Sequence, residues 1–439
     1  MLADTVIILV KILVILLGIA LTAGALLTFV ERKQSAWIQN RVGPNRANIF
    51  GHIRGDKFKD SIKLGGLLHL AADGLKMLLK EDIIPKGANR VLHTAAPAIV
   101  LFPVLVGFAI IPWADHWCAG GLTLLVNHRD VCLSESHNLF SIADLDVGFL
   151  FVFAIASLSV YGGAIAGWSS NNKFSFFGGL RASSQMVSYE VPMGLSVLGI
   201  VMIFGTLNLN EIVRAQGDLL FGVLPAWGIF VQPLGFIIFL TAMIAENKRA
   251  PFDCPEGESE IVSGYMTEYS GLKFGILQLS EFIAVIFIAS IVSVLFLGGW
   301  QVPYLYGDGF HMPHSAFFPL FALLFFVVGG YLIAVGVRRE QMLQKIAGGL
   351  LVVLGLVYAV MSTTQANGVQ HLPYEGVVLL RLGTMFAKVI FMVWLQLMIR
   401  WTVPRFRYDQ IMQLGWKIML PAALVNLLIT AIILIPLFS

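Results

Sequence analysis

Three glutamates stand where a bilayer should not tolerate them. Glu190 lies early in one long apolar run, Glu246 ends a second and Glu281 lies inside a third. An ionised carboxylate at mid-membrane costs roughly 2.5–3.5 kcal/mol on insertion scales. Such a group persists when it faces a protein interior or a wet cavity. There it serves an ion or proton path, or else stays protonated as a structural hydrogen-bonding group. Three in successive spans point to the path. Between Glu246 and Glu281 comes AENKRAPFDCPEGESEIVSGYMTEYSG (245–271), with Asp253, Glu256, Glu258, Glu260 and Glu268 inside sixteen residues, just after Lys248 and Arg249. A charge run is ordinarily a solvated face. Here Phe252, Ile261, Val262, Tyr265 and Tyr269 interleave with the acids, which predicts a packed segment. Two like charges ~4 Å apart at an effective dielectric near 20 repel by about 4 kcal/mol. Packed carboxylates would therefore share protons, titrate as a coupled set and respond to any charge added or removed nearby. Arg381 and Lys388, two helical turns apart, are intramembrane cations, and Lys388 is a candidate proton-path member or partner for a buried glutamate. Arg400, Arg405 and Arg407 follow at a membrane boundary, where interface anchoring explains them equally well.

The elements that position these groups are membrane spans. The chain has 439 residues, 57% hydrophobic and 13% charged, with a mean hydropathy of +0.82. That balance excludes a cytosolic enzyme and a disordered chain. Continuous apolar runs exclude a transmembrane β-barrel. The expected fold is all-α: a polytopic helical bundle, one transmembrane domain over 1–439. Ten runs can cross ~30 Å of hydrocarbon: 5–30, 96–113, 147–168, 186–207, 224–245, 274–297, 316–337, 346–361, 377–401 and 418–437. The first is too long for a signal-peptide core and reads as an uncleaved span. Of the 29 Lys and Arg, all but Lys11, Arg129, Arg214, Arg381 and Lys388 fall in connections 31–95, 168–185, 246–273, 338–345 and 400–417. The positive-inside rule puts those connections on the cytoplasmic side, or the matrix side in an organelle, and both termini outside.

Within the 31–95 connection, Leu64, Leu68, Ala71, Leu75 and Leu78 recur at helical spacing, opposite His69, Asp73, Lys76 and Lys80. This predicts an amphipathic helix over 64–81 lying in the interface. It is either a surface anchor or the frame of a lateral opening for a lipid-like ligand. Cys118, Cys132 and Cys254 form no CxxC pair and have no histidine at ligand spacing, so no metal site is read from them.

Several motifs now add up. They are Glu31-Arg32-Lys33, RVGPN at 41–45, Asp73-Gly-Leu-Lys76 with Lys80-Glu81, GWSSNNKF at 167–174 and RASSQMVSYE at 181–190. The acidic segment 245–271, FAK at 386–388 and RWTVPRFRYDQIMQLGWK at 400–417 complete the set. Together the chain resembles a membrane subunit of respiratory complex I, the proton-pumping NADH:quinone oxidoreductase, namely the one that corresponds to subunit 1 of the mitochondrial enzyme. The resemblance implies a component without a redox centre that forms much of a quinone tunnel and starts a proton path. It implies that Arg32, Arg41, Asp73, Phe252, Asp253, Arg400 and Arg405 border the quinone. It also implies that Glu190, Glu246, Glu256, Glu258, Glu260, Glu268 and Glu281 form an acidic funnel, with Lys388 beside the proton path. Quinone is then the substrate. Hydrophilic quinone-site subunits, neighbouring membrane-arm subunits and lipids are the partners, with no nucleic acid, and the location is a bacterial inner membrane. A quinone-free cousin in an energy-converting hydrogenase or formate hydrogenlyase is the nearest rival; a stand-alone proton-coupled transporter is a more distant one.

The chain departs from the family pattern in four places. His69-Leu70 replace a common Gln-Pro, residues 52–59 lengthen the basic loop, and 310–370 reads as an insertion with two added helices. The outer loop 114–145 is enlarged, and its Cys118 and Cys132 are expected to pair as a disulfide on an oxidising face.

Overall fold

The structure is a computed structural model. It describes residues 2–45, 47, 64–118, 123–126, 129–132, 136–137, 139–220, 224–306, 309–311, 369–371 and 373–438, with scattered positions between 323 and 356. The lengthened loop at 52–59, most of the two added spans and the side chains of Cys118, Cys132 and Glu258 lie outside the described residues.

Among the described residues, seven helices are long and apolar enough to cross a membrane: Val6–Ile38, Arg90–Ile110, Gly148–Ser169, Lys173–Phe204, Gly271–Phe296, Tyr374–Thr402 and Tyr408–Ile435. They coincide with seven of the expected spans, and the protein is a multi-pass, all-α membrane protein. An eighth expected span differs. The apolar run 224–245 is broken into Gly228–Val231 (α8) and Pro233–Glu246 (α9). Pro233 has no N–H and pushes the preceding residue out of the helical region, and Gln232 sits at φ −134°, ψ 61°. The Gln232 side chain is buried and satisfied: its amide donates to Thr430 Oγ1 at 2.5 Å and its carbonyl accepts from Asn426 Nδ2 at 2.6 Å.

The other helices used below are α1 (Leu2–Ile12), which continues through wider π-type turns into α2 (Thr22–Ile38). They also include α3 (Leu68–Leu79), α4 (Arg90–Gly107), α5 (Gly148–Ser169), α6 (Lys173–Phe204), α7 (Leu209–Ala215), α10 (Glu258–Ile261) and α11 (Gly271–Phe296). The chain closes with α12 (Tyr374–Thr402), α13 (Tyr408–Gln413) and α14 (Leu420–Phe438). The interfacial helix is shorter than the periodicity over 64–81 predicts. Gly65 and Gly66 take positive φ and hold the chain off the helix until Leu68. None of its residues is buried, and Leu75, Leu78 and Leu79 are exposed, so its apolar side is left for lipid or another chain.

The described chain divides into two compact units: Met1–His116 with Asn138–Trp300 and Leu382–Ser439, and Trp117–His137 with Gln301–Arg381. In the second, short antiparallel strands pair Trp117 with His137, Thr123–Val126 with Arg129–Cys132, and Gly309–His311 with both Leu305–Tyr306 and Val369–His371. Arg381 is buried there, donating to the Leu305 carbonyl at 3.4 Å.

The first unit holds the core. α11 is enclosed on nearly every side from Phe282 to Phe296. Its serines make this tolerable, because Ser280, Ser290 and Ser293 donate back to carbonyls of their own helix. α4, α5 and α6 pack through small residues, as membrane helices do when no hydrophobic drive joins them. A Cβ on Gly162 of α5 would lie 2.4 Å from Val100 Cγ2 and 2.9 Å from its backbone nitrogen on α4. α6 starts at Asn172, whose side chain accepts from the Phe174 N–H at 2.9 Å, and ends at Gly205 with φ 69°. Glu190 is thus mid-helix rather than four residues from an end.

A close backbone approach joins α6 to the acidic connection. A Cβ on Gly178 would sit 2.4 Å from the Tyr265 backbone nitrogen and 2.6 Å from Gly264 Cα. Backbone cannot move aside as a side-chain tip can, so Gly178→Ala is expected to destabilise by about 1–3 kcal/mol. Gly194→Ala, whose Cβ would meet only Phe153 at 3.9 Å, is the neutral control. Thermal denaturation of the two purified variants checks the contrast.

Candidate functional site

The candidate carboxylates gather where α9 ends and the acidic connection folds back. Gln185 of α6, fully buried, donates to the carbonyls of Ala245 at 2.6 Å and Phe252 at 2.8 Å, clamping both sides of the turn. The connection is then fastened to the segment after α12. Asp253 Oδ1 lies 2.7 Å from Arg405 Nε, and Arg405 Nη1 donates to Ser259 Oγ at 3.1 Å. The Phe406 N–H donates to the Pro251 carbonyl at 3.1 Å, and the Cys254 thiol to the Phe406 carbonyl at 3.4 Å. The Phe252 ring packs between Phe406 and Tyr189, at 5.4 and 5.6 Å between centroids.

A second fastening is buried. Glu31, in the second half of α2, takes Arg249 Nη1 on one oxygen at 2.6 Å and Arg400 Nη1 on the other at 2.5 Å. Arg249 also lies over the Phe282 ring, 4.0 Å from its centroid. α2, the acidic connection, α11 and α12 are knitted at one point. Removing one partner of such a pair typically costs about 3–5 kcal/mol, because the other charge stays buried.

Between the fastenings lies the unusual feature. Glu256 stands beside Glu281, with Glu256 Oε1 sealed from solvent, and the Tyr265 hydroxyl donates to Glu281 Oε1 at 2.9 Å. Burial, then the charge and hydrogen bond of Glu281, hold the Glu256 carboxyl well above the ordinary range, against the pull of Arg249 and Arg400. The same burial and carboxylates push the Tyr265 phenol up. Lys248, itself buried, stands over the Tyr265 ring at 5.0 Å; desolvation lowers its pKa although Glu281, Glu256 and Glu246 oppose this. At the solvent edge the sign reverses: Arg181, 2.7 Å from Glu260, draws that carboxyl below the ordinary range.

Glu246, Lys248 and Glu281 open onto a cavity with ≈ 70 Å³ available to the centres of water molecules. One water needs about 10–15 Å³ by that measure, so several fit. The remaining walls are almost wholly apolar, from Val100, Pro103 and Val104 of α4 to Met186, Met193, Met243 and Phe287. A proton shared by a carboxyl pair, next to water in an apolar chamber, can be delivered or withdrawn when a nearby charge changes.

The structure brings most of the expected residues to this region. Arg400, Arg405, Asp253 and Phe252 fasten it, while Glu246, Glu256 and Glu281 form its centre. Glu190 is half-buried on α6 and near enough to act electrostatically on Glu246. Glu268 accepts from Asn172 Nδ2 at 2.6 Å. Arg32 pairs with Asp73 at 2.5 Å, tying α2 to α3. Two stand elsewhere. Arg41 is exposed, its Nε on Gln39 Oε1 at 2.6 Å. Lys388 lies beyond the far end of α11, donating to the Gly299 carbonyl at 2.8 Å and standing 4.4 Å over the Trp227 ring. Sequence reasoning missed Glu31, Arg249, Gln185 and Tyr265 as site residues. A glutamine inside a membrane helix and a glutamate closing the first span were the available signals.

A family model described as NADH dehydrogenase matches residues 10–431 of the chain. The chain is 34% identical to an H-type subunit of NADH-quinone oxidoreductase from Cytophaga hutchinsonii, over 94% of this chain and 92% of that one. It is 32% identical to the H-type subunit of NADH-quinone oxidoreductase from Flavobacterium johnsoniae, over 97% and 94%. It is 35% identical to NADH-quinone oxidoreductase subunit 8 of Rhodothermus marinus, over 95% and 94%.

The carboxyl pair has a measurable signature. The folded protein keeps a proton on Glu256 that the unfolded chain releases at an ordinary carboxylate pKa, so this group's contribution to stability falls as pH rises from there toward the raised value. Glutamine can donate to Glu281 without ionising. Glu256→Gln is therefore expected to gain in thermal midpoint over the parent protein steadily above about pH 5, and to differ little below about pH 4. Paired melts across that range check it.

Proposed function

The chain belongs to the NADH dehydrogenase family of membrane subunits of NADH-quinone oxidoreductase, and from that premise we propose that it shapes part of the quinone pocket and turns quinone reduction into a change of protonation at Glu246, Glu256 and Glu281. The observation that carries this reading is the buried Glu256 beside Glu281, which Tyr265 holds by a hydrogen bond at a cavity whose other polar groups are few. Quinone accepts two electrons and two protons to become quinol. The electrons arrive from redox centres on hydrophilic partner subunits, which dock on the inner side near the acidic connection. Charge appearing at the headgroup acts on the pair through low-dielectric protein, and the proton held there moves toward Glu246 and the neighbouring membrane subunits.

Phe252, Asp253, Arg400 and Arg405 border the headgroup in this reading, and Arg32, Arg41 and Asp73 border its approach. The exposed leucines of α3 supply an apolar flank for an isoprenoid tail or for lipid. Glu260 lies at the mouth, Glu258 is assigned to the same funnel by the family resemblance, and Lys388 serves the far side. The basic connections support a bacterial inner-membrane location with both termini outside, as one transmembrane domain with 310–370 as an insertion. The names of the relatives disfavour the hydrogenase branch and the stand-alone transporter.

In the assembled complex, Glu281→Gln is expected to lower NADH-driven quinone reduction and proton translocation severalfold. NADH oxidation by ferricyanide, which bypasses the membrane arm, should be unchanged. Full quinone turnover with full pumping in that variant overturns the reading.

A further inference from the structure

His93 is the histidine that the carboxyl cluster leaves unexplained. It sits in the first turn of α4 with no exposed surface, stacked on Tyr269 at 4.1 Å between centroids and 3° between planes. The Glu268 backbone carbonyl is the polar group beside the ring, yet no hydrogen bond of good geometry reaches either ring nitrogen. An imidazole buried with both nitrogens unengaged is costly. A purely structural site would accept a phenylalanine more readily.

Its surroundings run from solvent to the carboxyl pair. On the inner side are Glu268, bonded to Asn172, and the Lys273–Asp82 ion pair at 2.8 Å. From α5, Ser169 and Ser170 lie beside the Tyr269 hydroxyl, their own hydroxyls donating to the Ala166 carbonyl. Deeper in, Tyr269 and Tyr265 belong to one buried cluster with Ala96 and Val100. Helical spacing continues the line: His93 shares a face of α4 with Val100, Pro103 and Val104, which wall the cavity. Seven residues separate His93 from Val100, about 10 Å along the helix.

We propose that His93 and Tyr269 form a proton entry from the inner face to Tyr265 and Glu281 that bypasses Glu256. The imidazole accepts a proton at one ring nitrogen and releases one from the other. The Tyr265 hydroxyl gives its proton to Glu281 and is re-protonated from the His93 side, so no charge is left on the tyrosine. Glu268 gathers protons at the mouth. The inference rests on the function proposed above, for which the entry reloads the pair after each quinone event.

The test is His93→Phe and Tyr269→Phe in the assembled complex, both keeping the ring stack. Expected are normal assembly, unchanged ferricyanide reduction, a severalfold loss of pumping, and a fall in turnover at high pH that begins at lower pH than in the parent. His93→Gln, which retains a polar group, should recover part of the loss and stands in if His93→Phe does not assemble. Parental pumping and an unshifted pH profile in either assembled Phe variant overturn the entry. Glu281→Gln in parallel separates the two failures: if it impairs pumping while the ring variants do not, only the entry is wrong.

Discussion

Glu256 and Glu281 stand together in a place sealed on one side and apolar on the other, and two full charges there would repel by about 4 kcal/mol at ~4 Å and an effective dielectric near 20. One proton must remain with them. The Tyr265 hydroxyl donates to Glu281, and burial beside that carboxyl keeps the proton on Glu256. Lys248 stands over the Tyr265 ring beside the pair, biasing the site toward one negative charge and no more.

The outer acids of this region are answered locally. Asp253 has Arg405, Glu260 has Arg181 and Glu31 has both Arg249 and Arg400. These pairs are not equivalent. Arg181 and Glu260 are part-exposed, and such pairs contribute about 0–1 kcal/mol. The Glu31 pairing is buried, so its geometry is enforced and the connection is held against α2 and α12. With the outer acids neutralised, the carboxyls without a cation of their own are Glu246 and the central pair, the groups on which the proposed function rests. Had Asp253 or Glu260 been free, a charge arriving nearby would have been absorbed at the surface.

How much of this could be read beforehand follows from which interactions are local. Seven of the ten expected spans were legible, since burial in lipid demands long apolar runs. The packing of the acidic connection was legible in the aromatic residues between its acids. The break at Gln232 was not, because an apolar run hides a helix interruption; Pro233 was the local signal, and the partners Asn426 and Thr430 lie almost two hundred residues away in sequence. The joining of Glu31 to Arg249 and Arg400 was hidden for the same reason. A buried ion pair between distant segments leaves no periodicity. The placement of Lys388 beyond the far end of α11 depended on which face of α12 meets that helix, which hydropathy does not encode.

Apolar walls decide the range over which the pair can be addressed. A unit charge appearing ~10 Å away acts with about 1.7 kcal/mol at an effective dielectric near 20, and with about 0.4 kcal/mol in water. The first figure exceeds the roughly 1.4 kcal/mol that corresponds to a tenfold change in protonation; the second does not approach it. A charge change near the Asp253–Arg405 fastening can therefore re-set the carboxyl pair without any helix moving. It could not do so if the methionine and phenylalanine walls were replaced by bulk solvent. α11 supports this electrostatic route. A helix enclosed from Phe282 to Phe296, its serines turned onto its own carbonyls, holds Glu281 still while the field around it changes.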